Sequence, residues 1–166
     1  LDDQVIAVQC PPGKQAVRRG RVDSANQVTA VAAYGLADGK LRWRNADVMP
    51  AGSAASLKPL TCADGKVFLY TSSYQTRAED AFLGALSART GKLLWRFESM
   101  EGDSKKGRKW SNTDSASFIM YRDGELIYVG GHGPGGIARF DAGTGKLIGE
   151  FHTGLRHFAY GGECSM

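Results

Sequence analysis

Hydrophobic residues in this chain come in short bursts. Val5-Ile6-Ala7-Val8, Val67-Phe68-Leu69-Tyr70 and Leu126-Ile127-Tyr128-Val129 are apolar runs bounded by polar or glycine-containing stretches. Bursts of this length suit buried strands and fall short of a helix. The second and third are launched from Asp64-Gly65 and Asp123-Gly124, dipeptides that favour tight hairpin turns. Asp3 to Gln9 reads as the same strand with its glycine lost. Two more strand candidates, Leu57 to Thr61 and Ser115 to Tyr121, lie just upstream of the Asp-Gly turns. Long amphipathic helix patterns are absent, so the expectation is an all-β chain of strands four to seven residues long.

A second pattern is repeated three times. Tyr34-Gly35-Leu36-Ala37-Asp38-Gly39-Lys40-Leu41-Arg42-Trp43 is followed by Leu86-Ser87-Ala88-Arg89-Thr90-Gly91-Lys92-Leu93-Leu94-Trp95. The third copy is Phe140-Asp141-Ala142-Gly143-Thr144-Gly145-Lys146-Leu147-Ile148-Gly149. Gly39 and Gly91 are 52 residues apart, Gly91 and Gly145 are 54 apart, and a period of that size marks a propeller, solenoid or array. Each copy reads as a β-hairpin: an apolar residue closes one strand, glycine takes a left-handed turn, and Lys-Leu opens the return strand. Gly39, Lys40, Trp43, Gly91, Lys92, Trp95, Asp141, Gly145 and Lys146 are its structural positions. The spacing Leu-x-Trp predicts that Trp43 shares a face with Leu41, and Trp95 with Leu93. Four strands per period is the make-up of one propeller blade.

These residues resemble the repeat of PQQ-like β-propellers, Ala-x-Asp-x-x-Thr-Gly-Lys-x-x-Trp. Leu86 to Trp95 matches most closely, and Phe140 to Leu147 keeps Asp141, Thr144, Gly145 and Lys146. Asp38 stands where the family has threonine, and Gly149 where it has tryptophan. The group contains both quinoprotein alcohol dehydrogenases and a non-catalytic outer-membrane-protein assembly lipoprotein, so the resemblance is specific for fold and weak for activity. In the catalytic members it implies PQQ stacked on a tryptophan at the ring centre, with calcium or a lanthanide held by Glu, Asn and Asp. Those positions do not map onto this chain residue by residue. Two adjacent cysteines near the cofactor are a further family feature, and no Cys-Cys pair occurs here. The resemblance also implies a periplasmic or exported bacterial protein.

Length sets the domain expectation. The 166 residues form one propeller segment: a first blade at about 1–50, a second at about 51–103, a third at about 112–153, and the start of another at 158–166. Leu1 to Gln9 reads as the second strand of its blade, and Phe158 to Met166 as the opening of a further one. About three blades fall short of the four to eight of a closed ring. The expectation is therefore a segment of a larger propeller, with assembly of several chains into one ring as the alternative. Either way the partners are further blades or another protein chain, met through the sheet edges.

Composition changes this picture little. The chain is 42% hydrophobic and 23% charged, and its 22 glycines are about twice the usual share. No apolar run is long enough to span a membrane as a helix. The net charge of +4 gathers at Arg18, Arg19 and Arg21, and at Lys105, Lys106, Arg108 and Lys109 beside Trp110. Basic residues next to an aromatic can bind nucleic acid, but Glu101 and Asp103 dilute the cluster and a solvated loop is the favoured reading. Three longer segments, Pro11 to Gln27, Ser73 to Asp80 and Ser99 to Asp114, extend beyond the strands and are where binding residues would sit.

Candidate chemistry is sparse. His152, His157 and Cys164, with Glu163 adjacent, form the one metal-like constellation; imidazole and thiolate suit zinc, but the spacing fits no standard ligand set. Cys10, Cys62 and Cys164 are odd in number, leaving at least one unpaired within the chain. His132-Gly133-Pro134-Gly135-Gly136 lacks the Lys-Ser/Thr pair of a phosphate-binding loop and reads as a turn. There is no Gly-x-Ser-x-Gly elbow, and Asp114, Asp123 and Asp141 occupy turn positions. Trp43 and Trp95 are expected to pack between blades rather than to stack a cofactor. No catalytic residue is assigned. The residues favour a non-catalytic binding or protein-interaction scaffold. The alternative is part of a PQQ- and calcium-dependent oxidoreductase whose site is completed elsewhere.

Overall fold

The computed structural model describes residues 3–9, 16–18, 21–23, 29–48, 56–72, 82–97, 118–130 and 136–152. Among them every regular element is a strand. β1 (Gln4–Gln9), β4 (Ala30–Gly35) and β5 (Leu41–Asn45) form one antiparallel sheet in the order β1-β4-β5. β6 (Ser56–Ala63), β7 (Lys66–Ser72), β8 (Phe82–Ser87) and β9 (Leu93–Phe97) form a second, in simple sequence order. β10 (Phe118–Arg122), β11 (Glu125–Gly130), β12 (Gly136–Asp141) and β13 (Leu147–His152) repeat it. These up-and-down sheets are the blades of a β-propeller. β2 (Ala16–Arg18) and β3 (Arg21–Asp23) pair separately as a small hairpin within the Pro11 to Gln27 segment.

Turn chemistry explains the connections. Ala63 pairs with Lys66 and Arg122 with Glu125, so only Asp64-Gly65 and Asp123-Gly124 lie between strands. All four have positive φ, at 49° and 66° in the first turn and 49° and 84° in the second. Two left-handed residues in succession match the twist of the flanking strands, and Asp-Gly tolerates that backbone well. The longer hairpins close differently. Gly39, Gly91 and Gly145 have φ of 64°, 69° and 73°. In each the glycine N–H donates back to the carbonyl that ends the first strand: Gly35, Ser87 or Asp141, at 2.8–2.9 Å.

Each hairpin also carries the same irregularity. Tyr34 pairs with Leu41 but Ala33 pairs with Trp43; Leu86 pairs with Leu93 but Ala85 with Trp95; Phe140 pairs with Leu147 but Arg139 with Gly149. One extra residue, Arg42, Leu94 or Ile148, is thus bulged out of the outermost strand. The expected sharing of a face by Leu41 and Trp43 fails for this reason. Cross-strand partners share a face, and Tyr34 and Ala33 point to opposite ones. Leu41 is accordingly exposed and Trp43 buried. Leu93 and Trp95 separate in the same way.

Strand bounds differ modestly from expectation. β6 runs to eight residues, longer than anticipated, with a register shift between Lys58 and Thr61; Pro59, which has no N–H to give the ladder, lies within it. In the third blade β10 covers Phe118 to Tyr121 of the expected strand and runs on to Arg122, while Ser115 to Ser117 lie outside the described residues.

The core lies between sheets. One cluster joins Val31, Ala33, Trp43 and Val48 of the first blade to Val67, Leu69, Leu86 and Ala88 of the second. The other joins Phe68, Tyr70, Leu83 and Ala85 of the second to Leu126, Tyr128, Ala138, Phe140 and Ala142 of the third. Strand alternation thus gives the second blade two buried faces. Aromatic pairs lock its contact with the third: Tyr70 and Tyr128 have ring centroids 5.2 Å apart, and Phe97 meets Phe140 edge-on at 4.9 Å. Thr61 adds a hydroxyl bond to the Ile119 carbonyl at 2.6 Å, joining the two inner strands. None of the described residues forms a helix long and apolar enough to cross a membrane.

Candidate functional site

The most developed arrangement of side chains is the junction between blades. The bulge in β5 turns Trp43 toward the second blade, where its indole N–H donates to the Ala88 carbonyl at 2.7 Å. Its ring covers Gly91 so closely that a Cβ there would lie 2.3 Å from a ring carbon. Trp95 does the same one blade later, donating to the Ala142 carbonyl at 3.1 Å, and a Cβ on Gly145 would fall 2.4 Å from its ring. Gly91 and Gly145 thus meet two demands at once, a left-handed φ and a surface with no side chain.

Around this contact the backbone is fully engaged. The Ala88 N–H donates to the Gly65 carbonyl and the Ala142 N–H to that of Gly124, both at 2.9 Å, so each Asp-Gly turn braces the hairpin beside it. In the first junction Gln4 Nε2 also donates to the Ala88 carbonyl, at 2.9 Å. That oxygen therefore uses both lone pairs on the neighbouring blade. Asn45 Nδ2 adds a bond to the Gly91 carbonyl at 2.7 Å.

Polar residues of the repeat act within the turn. Asp141 Oδ1 accepts from the Thr144 N–H at 2.7 Å and from its hydroxyl at 2.8 Å. Those bonds, the side-chain one foremost, hold the carboxyl below its usual pKa range, with Lys66 of the preceding blade adding a favourable charge. Asp38 accepts from the Lys40 N–H at 3.0 Å, replacing the weaker hydroxyl contacts that Thr90 and Thr144 make with Lys92 and Lys146. Lys40, Lys92 and Lys146 contribute their backbone: each carbonyl accepts from Gly35, Ser87 or Asp141.

Other candidates are not brought together. His152 ends β13, while His157 and Cys164 lie outside the described residues, as do Cys10, the Lys105 to Trp110 cluster and His132 to Gly135. Cys62 is free and exposed in β6, though desolvation of its sulfur pushes the thiol up. Among the described residues no group of three or more His, Cys, Asp or Glu could hold a metal ion. Sequence reasoning missed the Ala88 and Ala142 carbonyls. Their signal was present, since an alanine stands three residues before glycine in the second and third repeats. It also missed Arg139, whose guanidinium grips Glu125 through two bonds of 2.6 and 2.8 Å.

A family model described as outer membrane protein assembly factor BamB matches residues 7–154. The chain belongs to that PQQ-type repeat family. Its fold is similar to quinohemoprotein alcohol dehydrogenase ADHIIG of Pseudomonas putida HK5, with TM-score 0.58, 17% identity and coverage of 76% of this chain and 24% of that one. The corresponding enzyme of Comamonas testosteroni gives 0.57, 16%, 78% and 25%. BamB of Moraxella catarrhalis gives 0.50, 17%, 76% and 31%. The chain therefore spans about a quarter to a third of the length of these structures. The comparison with curated proteins gives no match.

Two outcomes follow from the junction. Gly39 has the same positive φ, but a Cβ there would meet nothing within 4 Å. Gly39→Ala should cost about 1–2 kcal/mol from backbone strain alone, while Gly91→Ala adds an overpacking cost of about 1–3 kcal/mol against Trp43. Chemical denaturation of both variants measures the gap. The second outcome concerns acid. Because the folded-state pKa of Asp141 is lowered, its contribution is present above the ordinary aspartate range and is lost as pH falls through the folded value. Melting temperatures should fall with acidification there, and Asp141→Asn should flatten that limb by lowering the melting temperature near neutrality and converging with the unsubstituted protein in acid.

Proposed function

We propose that these blades belong to a non-catalytic PQQ-like propeller that serves as a protein-interaction scaffold in the bacterial periplasm or outside the cell. The observation that carries this reading is the commitment of the repeat tryptophans. Each indole lies with one face against a glycine turn and its N–H on a backbone carbonyl, so both rings are engaged in joining blades. The BamB description of the matching family model supports an assembly role. Likeness to the two alcohol dehydrogenases speaks for the fold.

Rigid sheets tied by indoles suit a scaffold. They hold the loops between strands at fixed separations, and such loops are where partners bind. Partner recognition would then rest on loop chemistry over a constant frame.

The test is catalytic. The full-length protein, incubated with PQQ and Ca²⁺, should give no alcohol-dependent dye reduction above the level without protein. Turnover that requires both additions would replace the scaffold reading with the oxidoreductase one.

A further inference from the structure

The third blade departs from the other two on the face turned away from them. In the first and second blades the pairs Ala33–Trp43 and Ala85–Trp95 set a small residue beside the indole that crosses to the next blade. In the third the pair is Arg139–Gly149, so the large and small positions are exchanged between the strands. A Cβ on Gly149 would meet nothing within 4 Å, which leaves the place of the indole open. The accompanying residue changes as well. Gln4, which bonds the next blade, and Lys66, whose ammonium is held by Asp64 at 2.7 Å, are replaced by Glu125, and Glu125 holds Arg139 by both carboxylate oxygens.

Around this ion pair the face is apolar. Met120 and Phe151 are 50% and 62% exposed. Strand alternation and register put Ile127, Val129 and Ile137 on the same side, each short of full burial. The matching faces of the first and second blades are buried by the blade that follows. Arg139 has five N–H donors and gives two to Glu125. The remainder can donate to a backbone carbonyl, as the indoles of Trp43 and Trp95 do.

We propose that this face is a blade junction anchored by a guanidinium instead of an indole. Arg139, steadied by Glu125, donates to the hairpin-turn carbonyl of a further blade of the same polypeptide, which covers Met120, Ile127, Val129, Ile137 and Phe151. Continuity with the first and second junctions identifies the occupant as a blade. The share of the superposed propellers that this chain spans, 24% to 31%, leaves room for more of them. The inference is independent of the scaffold reading, since a catalytic propeller would need the same junction.

The experiment uses the full-length polypeptide carrying these residues. Arg139→Ala should lower Tm by about 4 °C or more, and Glu125→Gln by about 2 °C or less, since an exposed ion pair contributes little. Arg139→Ala combined with Gly149→Trp restores the arrangement of the first two blades and should recover at least half of the loss. An acceptor turn and an apolar face across the junction account for that rescue. In a separate variant, Phe151→Cys, peptide-resolved alkylation should be at least about 100-fold slower in the native than in the unfolded protein, at every protein concentration. Equal effects of Arg139→Ala and Glu125→Gln, with no gain from the added tryptophan, would overturn the proposal. So would rapid alkylation, or protection lost on dilution, which would indicate a second copy of the chain. If Arg139→Ala does not fold, the alkylation result decides by itself.

Discussion

An aromatic ring lying on a glycine that can have no side chain is the contact on which this architecture depends. A four-stranded sheet has two faces, and neither is buried by the sheet itself. The fold exists only if adjacent sheets stack in a defined register. Apolar side chains supply the driving force, but that force is non-directional. The indole supplies direction. Its N–H must find Ala88 or Ala142, and its ring must find the bare backbone of Gly91 or Gly145. A small shift between sheets would leave a largely buried N–H unpaired, which is costlier than the net gain from the bond itself.

The clasp explains features that look like irregularities in isolation. Without a bulge at Arg42 and Leu94, Trp43 and Trp95 would sit on the same side as Leu41 and Leu93 and point away from the next blade. The bulge re-aims one side chain while the ladder beyond it continues. The left-handed glycine has a related role. It closes the hairpin so that the carbonyl three residues earlier faces outward to receive the indole. Asp141 and Thr144 then stiffen that turn from within. The same logic makes the third blade informative, because Gly149 removes the ring and the large residue of that pair, Arg139, stands on the neighbouring strand instead.

Much of this was legible in the residues. The Asp-Gly pairs gave the tight turns, the Gly-Lys-Leu strings gave the hairpins and their period, and the apolar bursts gave the strands that carry the core. What failed was side-chain direction around the bulge. Period-two reasoning assumes an unbroken ladder, and nothing in Leu41-Arg42-Trp43 announces an extra residue. The β2–β3 hairpin escaped for a different reason, since Ala16-Val17-Arg18 and Arg21-Val22-Asp23 are too short to show a periodicity. The repeated alanine three residues before Gly91 and Gly145 marks the Ala88 and Ala142 positions, but their role as carbonyl acceptors emerged only from geometry. The Arg139–Glu125 pair was invisible because its partners are fourteen residues apart and meet only through the register of β11 and β12.

The central claim is that Trp95 and Gly145 form one unit across the second junction. A double-mutant cycle with Trp95→Ala and Gly145→Ala, followed by chemical denaturation, tests it most directly. Trp95→Ala should cost about 3–5 kcal/mol by itself. In its presence Gly145→Ala should cost only the backbone strain of about 1–2 kcal/mol, because the ring it would strike is gone. The account predicts a coupling of at least about 1 kcal/mol between the two changes. Additivity within about 0.5 kcal/mol would contradict it, since residues that do not touch behave that way.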